Sequence, residues 1–482
     1  MKKFIIIIAA ILVSSSGCKK QLEENPPARF AVTNLNPSIL NALVTGAYEP
    51  MVRSRGRLWE STLGWVVEGL SEYGRILSTN TNANFSNYNF TAYFDNLAST
   101  WTTFYETIGK CNLLLQTIEN DTQMAAADKQ VAKGEALFIR ATCYYWLVRL
   151  WGKVPMRLTP IQSSNDVGIP LSAVEAIYAQ IIKDLQFAET VLPAKVSSAQ
   201  AGRATAGAAK ATLADIYLTL KDYQNARTKA KELIDNKATY GYDLVTDLPA
   251  LYSPTAATNS EDVFSLKFAQ ISGYGSFLPA YAAEDRAKAA GLAARGLFFL
   301  GVKKVPLVRD WDTRDRRRSL NLLDSVTIAG VKVPAHLTDG YDYFFAKYQD
   351  PNAADEVGAG NDFYLFRYAD ALLIYAEAEN QLSGATAAAY DAINQVRRRA
   401  YGVPLATASA LADLPAGLSK QQFDDLVFRE RGYEFFFENK RWFDMQRTGR
   451  VADLATAAGK PAPTLRYLIL PSVEVSNNPA LR

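Results

Sequence analysis

Apolar residues recur at three- and four-residue spacing over much of the chain, whereas long strand-like alternation is hard to find. This spacing places apolar side chains on one face of a helix, so it predicts helices over residues 39–65 and 97–118. Two further helices are predicted over residues 133–151 and 171–192, the first of which ends at Gly152. The hydrophobic pattern therefore predicts a mostly helical protein.

Two predicted pairs of helices repeat one arrangement. In residues 210–235, the small Ala214 lies where two helices approach closely, and Ala226 lies on the second helix. Residues 362–401 repeat this order, with Gly384 in the turn. The spacing resembles tetratricopeptide units, which stack one helical hairpin on the next. We therefore expect these two regions to belong to a stack of helical hairpins.

Helical periodicity is lost in two places. Residues 79–90 are rich in asparagine with interleaved aromatic residues, and asparagine side chains compete with helical hydrogen bonds, so we predict a loop there. Residues 240–360 contain clusters of glycine, proline and aromatic residues. We predict that this middle region is irregular and carries the loops that vary with function.

The N-terminus has the order of a secretory signal peptide: Lys2 and Lys3 precede an apolar run over residues 4–13, and small polar residues lead to Cys18. The run is about half of the roughly twenty residues that a membrane-spanning helix needs, so we expect export. The residues before Cys18 are similar to a bacterial lipobox, which predicts that acyl chains on its sulfur anchor the protein to a membrane. The alternative is an ordinary cleavage site that Cys18 happens to follow.

Composition excludes several classes of function. The chain has 52 basic and 49 acidic residues, which leaves no basic surplus for nucleic-acid binding. Its single histidine, His336, excludes a histidine-based zinc site, and no phosphate-loop or dinucleotide motif is present, so we expect neither a metal nor a cofactor. Cys111 and Cys143 lie inside predicted helices and are expected to be buried thiols.

Two charged segments allow more than one interpretation. Glutamates fall at four-residue intervals along a helix predicted over residues 426–444: Glu430, Glu434 and Glu438. They could supply the paired carboxylates of a glycosidase. The favoured interpretation is a charge network that fixes the helix, with guanidinium groups from Arg429, Arg431 and Arg441.

The second segment is a run of arginines with interleaved aspartates, comprising Asp310, Asp312, Arg314, Asp315, Arg316, Arg317 and Arg318. It could bind phosphate, but local salt bridges or helix caps are the favoured interpretation because the aspartates lie so close.

Four segments occur in the order found in the SusD/RagB family of outer-membrane nutrient-binding lipoproteins: residues 136–155, 312–318, 367–397 and 429–447. The most specific of them begins with Arg429-Glu430-Arg431-Gly432-Tyr433. Together they are spread over residues 136–447 of the chain. The sequence is therefore similar to that family.

The resemblance implies a mostly all-α, SusD-like fold, with tetratricopeptide-type hairpins and an irregular, loop-rich region. The expected domains are a signal peptide over residues 1–17, a lipidated linker over 18–37 and one body over 38–482. Within that body, a helical scaffold covers about residues 38–240 and 362–450, and an irregular cap covers about residues 241–361.

The family's function would be non-catalytic binding of an oligosaccharide or polysaccharide at the cell surface. The ligand would then pass to a SusC-like TonB-dependent transporter, and the protein would be held in the outer membrane through acylated Cys18. Two alternatives remain. One is a lipoprotein glycosidase in which Glu72 or a motif glutamate is the acid, and the other is a helical scaffold for the transporter that binds no ligand.

Glycan capture requires aromatic rings that stack on sugars and polar groups that bind hydroxyls. In the family, such residues come from loops equivalent to residues 69–101 and to the irregular middle region. The candidates here are Glu72, Tyr73, Arg75, Asn84, Tyr88, Tyr93, Trp101, Tyr274, Phe277, Tyr281 and Trp311. We expect Tyr73, Tyr88 and Tyr274 to be the most accessible, because neighbouring glycine or asparagine makes each harder to bury.

Overall fold

The computed structural model describes residues 35–53, 58–59, 62–76, 83–90, 97–163, 166–279, 289–291, 300–334, 342–355 and 357–481. The signal sequence, Cys18 and His336 lie outside the described residues.

The helices with complete bounds are α1 (Pro37–Val52), α2 (Thr62–Gly69), α3 (Ala83–Ser86), α4 (Ala98–Asn120), α5 (Ala126–Trp151), α6 (Val174–Val191), α7 (Ala206–Thr219), α8 (Tyr223–Asp235), α9 (Lys237–Tyr240), α10 (Leu248–Leu251), α11 (Pro306–Arg309), α12 (Arg316–Asn321), α13 (Tyr368–Ser383), α14 (Ala387–Tyr401), α15 (Lys420–Glu434), α16 (Arg441–Thr448), α17 (Val451–Ala457) and α18 (Ser472–Asn477). The strands are β1 (Gly74–Ile76), β2 (Asp262–Leu266), β3 (Leu300–Val302), β4 (Leu322–Leu323), β5 (Ser325–Ile328), β6 (Val331–Pro334), β7 (Phe344–Phe345) and β8 (Phe363–Arg367). They form the antiparallel pairs β1–β3, β2–β8, β4–β7 and β5–β6.

A stack of helices forms the body of the molecule. Each of α5, α6, α7 and α8 packs against the helix before it, and α13 packs against α8 although more than a hundred residues separate them in sequence. Helix α5 is buried on nearly all sides from Ala132 onward, and its Arg140 pairs with Asp184 of α6 at 2.9 Å. It ends as predicted at Gly152, whose φ of 71° suits glycine. The prediction of a mostly helical fold is confirmed.

The two predicted hairpins are present as α7–α8 and α13–α14. Ala214 and Ala226 are fully buried between the helices of the first hairpin, where a larger side chain would hold the helices apart. In the second hairpin α13 ends at Gly384, and the Thr386 side chain caps the first turn of α14. Cys111 and Cys143 are buried free thiols in the helical core, as predicted.

Three predicted elements differ from the structure. The helix predicted over residues 39–65 is two helices, α1 and α2, and the loop predicted over residues 79–90 includes the short helix α3. The helix predicted over residues 426–444 ends at Glu434, and a second helix begins at Arg441. Between them, Phe437 and Asn439 have positive φ values, which interrupts the helix.

Candidate ligand-binding site

The segment that joins α2 to β1 carries several of the predicted ligand residues, and its backbone is tightly packed. A Cβ at Gly74 would lie 1.9 Å from the carbonyl oxygen of Glu68, so only glycine fits there. The ammonium of Lys460 donates to the carbonyl oxygens of Gly69 at 3.1 Å and Gly74 at 2.8 Å, and also to that of Ser71. Helix α2 therefore ends in a fixed turn.

Tyr73 is part of the core, which contradicts the expectation that it is accessible. Its ring stacks on Phe436, with 4.1 Å between ring centroids. Its hydroxyl donates to Glu68 at 2.7 Å and accepts from the backbone N–H of Phe437 at 3.3 Å. The ring and hydroxyl are therefore fully occupied within the protein.

Tyr88 is also buried, although it lies between two asparagines. Its φ of 52° turns the side chain inward, where the ring stacks on Trp442 at 5.5 Å and the hydroxyl donates to the carbonyl oxygen of Leu70. Asn84 and Asn87 take the exposed positions instead. The expectation of an accessible Tyr88 ring is therefore wrong, because the polar neighbours occupy the surface while the ring packs beneath them.

Three further aromatic candidates belong to the hydrophobic core. Trp101 packs edge-on against Trp151 at 5.2 Å, and Trp311 stacks on Tyr433 at 4.6 Å. Phe277 is buried in the same core. None of the three presents a ring face to solvent. In the structure they therefore pack the core instead of forming the ligand contacts predicted from the sequence.

The remaining candidates have different surroundings. Glu72 is buried in an ion pair with Arg441, so its carboxylate is not open to a ligand. Arg75 is half-buried on β1, where its backbone lies opposite Gly301 of β3. Tyr93 and Tyr281 lie outside the described residues.

Tyr274 is the aromatic candidate that the structure places at the surface, with 71% of the residue's area exposed, and Asn84 is the polar candidate found there. Among the described aromatic residues, Tyr274 is the one with a largely exposed side chain. Ile271, which the sequence did not single out, is 57% exposed on the same turn. We call residues 269–276 the Tyr274 loop.

The Tyr274 loop is held by close backbone contacts. A Cβ at Gly275 would lie 2.3 Å from the carbonyl carbon of Gly358, so glycine at position 275 lets the two segments touch. Next to this contact, the backbone N–H of Ser276 donates to the carbonyl oxygen of Ala359 at 2.8 Å. One feature of the sequence indicates this close contact: a glycine both precedes and follows Tyr274.

Side-chain hydrogen bonds fix the same loop from the other side. The amide of Gln270 donates to Asp350 at 2.7 Å, and the hydroxyl of Ser272 donates to Asp355. A turn closes the loop, because the backbone N–H of Tyr274 donates to the carbonyl oxygen of Ile271 at 2.9 Å. The exposed ring therefore stands on an ordered support.

Buried charged side chains form a central charge cluster, which consists of Glu261, Arg317, Lys347, Arg367, Arg399, Glu430, Glu434 and Glu438. Arg367 donates to both carboxylate oxygens of Glu438 at 2.9 Å and to Glu434 at 2.8 Å. Arg317 pairs with Glu434 at 2.9 Å and Glu430 at 2.7 Å. A charge network is thus present, as favoured from the sequence.

The arginines expected to form this network are not its members. Arg431 pairs with Asp444 at 2.8 Å, Arg441 pairs with Glu72, and Arg429 is exposed. The partners of the three glutamates come instead from α12, β8 and α14 and from the loop after β7. The sequence identified the kind of interaction but not the residues that complete it.

The cluster also determines the charge of its carboxylates. Burial alone would raise the pKa of Glu438, but Arg367 and Lys347 outweigh it and lower the pKa to about 2. The pKa of Glu434 is likewise held well below its ordinary value, because Arg399, Arg367 and Arg317 outweigh burial. A glycosidase acid needs a raised pKa and contact with substrate, and these two buried groups have neither.

The run of alternating charges forms local pairs, as favoured from the sequence. Arg314 pairs with Asp312 at 2.7 Å and Arg317 with Asp315 at 2.6 Å. The carboxylate of Asp315 also accepts from the backbone N–H of Arg317 and caps α12.

In the described part of the chain, no group of three or more histidine, cysteine, aspartate or glutamate side chains is arranged to hold a metal ion. No helix among the described residues combines the length and apolar character that a membrane crossing requires.

Comparison with known proteins agrees with this architecture. The sequence matches the SusD family over residues 337–463, and a family described as "Starch-binding associating with outer membrane" over residues 20–218. SusD-like protein P2 of Formosa agariphila is 30% identical over 477 residues, which cover 93% of this chain and 91% of the relative. The chain therefore belongs to the SusD/RagB family.

Solved structures share the fold. A SusD homologue from Bacteroides thetaiotaomicron has a TM-score of 0.79 at 22% identity, covering 92% of this chain and 96% of its own. Surface glycan-binding protein A from the same organism, in complex with laminarihexaose, has a TM-score of 0.76 at 19% identity and covers 92% of this chain and 98% of its own.

Proposed function

We propose that this protein binds an oligosaccharide at the cell surface without altering it and delivers it to a SusC-like TonB-dependent transporter. The observation that carries the proposal is the exposed ring of Tyr274 on an ordered loop. Support comes from a structural neighbour that was solved with laminarihexaose.

An exposed tyrosine suits this task. Its ring stacks on the apolar face of a sugar, and its hydroxyl bonds to sugar hydroxyl groups. Because the loop is already ordered by Gly275, Gln270 and Ser272, ligand binding has little further backbone freedom to remove. Ile271 beside the ring extends the apolar surface. Such an open surface favours modest affinity, which allows release to a transporter.

The proposed binding is non-catalytic. The carboxylates considered for acid catalysis are all buried in ion pairs with arginine: Glu72, Glu430, Glu434 and Glu438. We further propose that acyl chains on Cys18 hold the protein on the outer face of the outer membrane, in keeping with the description of the matched family.

The test is calorimetric titration of the purified protein with a panel of oligosaccharides that includes laminarihexaose. Tyr274→Ala should weaken binding of the recognised sugar by about tenfold or more, as loss of an aromatic contact predicts, whereas Tyr274→Phe should retain most of it. Val331→Ala is the matched control, because it trims another exposed apolar side chain away from the loop.

The alternatives predict other outcomes. Unchanged affinity in Tyr274→Ala would overturn the proposed site, and release of shorter sugars would indicate a glycosidase. A ligand-free scaffold predicts that cells carrying Tyr274→Ala take up the sugar as well as wild-type cells.

A further inference from the structure

A cavity of about 1220 Å³ opens between α10, α12 and the C-terminal end of α14. Small-molecule sites usually have volumes of about 300–1,000 Å³, so this cavity can hold a ligand of more than one small unit. None of the ligand residues predicted from the sequence lines it. The cavity therefore needs an explanation of its own.

Arg316 is the unusual member of the cavity wall. Its exposed guanidinium lies against Gly402, where an added Cβ would be 1.8 Å from the Cζ of Arg316. Gly402 has a φ of 68° and caps α14, so its backbone also favours glycine. The guanidinium of Arg316 therefore lies directly against the backbone of Gly402, with no side chain between them.

The Arg316 guanidinium has no ionic or hydrogen-bonding partner among the described residues. The neighbouring Arg314 and Arg317 are both paired with aspartates. An unpaired guanidinium offers a planar set of N–H donors to a ligand.

The other cations of the cavity wall are already neutralised. Lys347 is paired with Glu438 at 2.7 Å, and Arg399 with Glu261 at 2.8 Å. Asp247 is the carboxylate of the wall, and within the described chain it neither caps α10 nor forms an ion pair. Arg316 is thus the cation of the wall that remains available to an anion.

The cavity adjoins the Tyr274 loop. Gln349 lines the cavity, and the next residue, Asp350, accepts the hydrogen bond from Gln270 of that loop. Pro254 also lines the cavity, and its backbone is in close contact with Gly360, where an added Cβ would lie 2.2 Å from the Pro254 carbonyl oxygen. The cavity wall and the Tyr274 loop are therefore joined through Gln349 and Asp350.

We propose that the cavity binds an acidic sugar unit, whose carboxylate or sulfate group is bound by Arg316. Both groups present paired oxygens that match the guanidinium fork, which a neutral hydroxyl does not. The inference rests on the proposed function, because it assigns the recognised glycan to the acidic class. Asp247 accepts hydrogen bonds from hydroxyl groups of the same ligand.

The experiment compares three probes by calorimetry: an oligogalacturonate, a sulfated oligosaccharide and neutral laminarihexaose. Arg316→Gln should weaken binding of an acidic probe by about tenfold or more, which is the effect of losing a charge-assisted hydrogen bond, and leave the neutral probe unaffected. Added salt should weaken binding of the acidic probes and leave binding of the neutral probe unchanged. The two acidic probes distinguish carboxylate from sulfate.

Two pairs of variants separate a binding role from a structural one. Gly402→Ala should displace the Arg316 guanidinium and weaken binding of the acidic probe. Gly417→Ala imposes similar backbone strain, at a φ of 77°, but its added Cβ enters open space, so this variant should bind the acidic probe like wild type. Arg429→Gln is the control for loss of an exposed arginine.

The outcomes distinguish this inference from the proposed function. If no saccharide binds the wild-type protein, the proposed function fails. The inference about Arg316 is overturned if saccharides bind but Arg316→Gln changes the affinity for none of them, or if neutral saccharides bind more tightly than acidic ones. Neither outcome bears on the proposed site at Tyr274.

Discussion

Glu72 and Arg441 face each other in the core as a two-pronged ion pair, with 2.6 Å between Oε1 of Glu72 and Nη2 of Arg441. Arg441 also donates to the carbonyl oxygen of Phe428, and its guanidinium lies over the Phe428 ring. The pair joins the turn after α2 to the first residue of α16. It connects two segments that are 369 residues apart in the sequence.

This pair predicts that Glu72 stabilises the fold. Glu72→Gln should lower the free energy of unfolding by about 3–5 kcal/mol, because it leaves a buried guanidinium uncompensated. Urea denaturation measures this change. Asp310→Asn, which breaks an exposed pair with Arg309, is the control and should leave the unfolding midpoint unchanged. An unchanged midpoint for Glu72→Gln, together with loss of a hydrolytic activity, would instead support a catalytic role.

The central charge cluster predicts how the free energy of unfolding depends on pH. Glu438 has an ordinary pKa of 4.5 and a folded-state pKa of about 2, so the unfolded chain binds its proton first as the pH falls. Its stabilising contribution is therefore complete above about pH 4.5 and is lost progressively towards pH 2.

Glu438→Gln tests this dependence. The variant should be less stable than wild type at pH 7, and the difference in unfolding free energy should narrow between pH 5 and about pH 3. Urea titrations at several pH values measure it. Glu119→Gln, at an exposed position, is the control and should follow the wild-type curve. A difference that stays constant with pH would contradict the assignment.

Lys460 predicts a local effect. Its ammonium binds the carbonyl oxygens of Gly69, Ser71 and Gly74, so Lys460→Met should loosen this turn while it preserves the apolar stem. Hydrogen exchange should become faster over residues 70–76 and remain slow in α5. Lys153→Met, at an exposed position, should change neither region. Uniformly faster exchange would indicate global destabilisation instead.

Features that depend on local spacing could be predicted from the sequence. The end of α5 at Gly152 and the close approach of helices at Ala214 follow from residues a few positions apart. Burial of Tyr73 and Tyr88 could not be predicted in this way. It depends on Phe436 and Trp442, which are supplied by the far end of the chain.

The interruption after α15 has the same kind of cause. Local propensity favours a continuous helix, but the backbone N–H groups of Phe437 and Asn439 are taken by Tyr73 and Glu68. These hydrogen bonds replace those that a continued helix would make. Burial also raises the pKa of Glu68 to about 7, an environment that no local pattern indicates.

The central charge cluster limits how this protein can be recombined with its relatives. Glu261, Arg317 and Lys347 come from the middle region, whereas Arg367 and Glu438 come from the flanking helical part. A chimera that replaced the whole middle region would leave unmatched charges in the interior unless the donor supplied the same three partners. Grafts that exchange ligand preference should therefore be confined to stretches between these positions, so that the cluster keeps all of its partners.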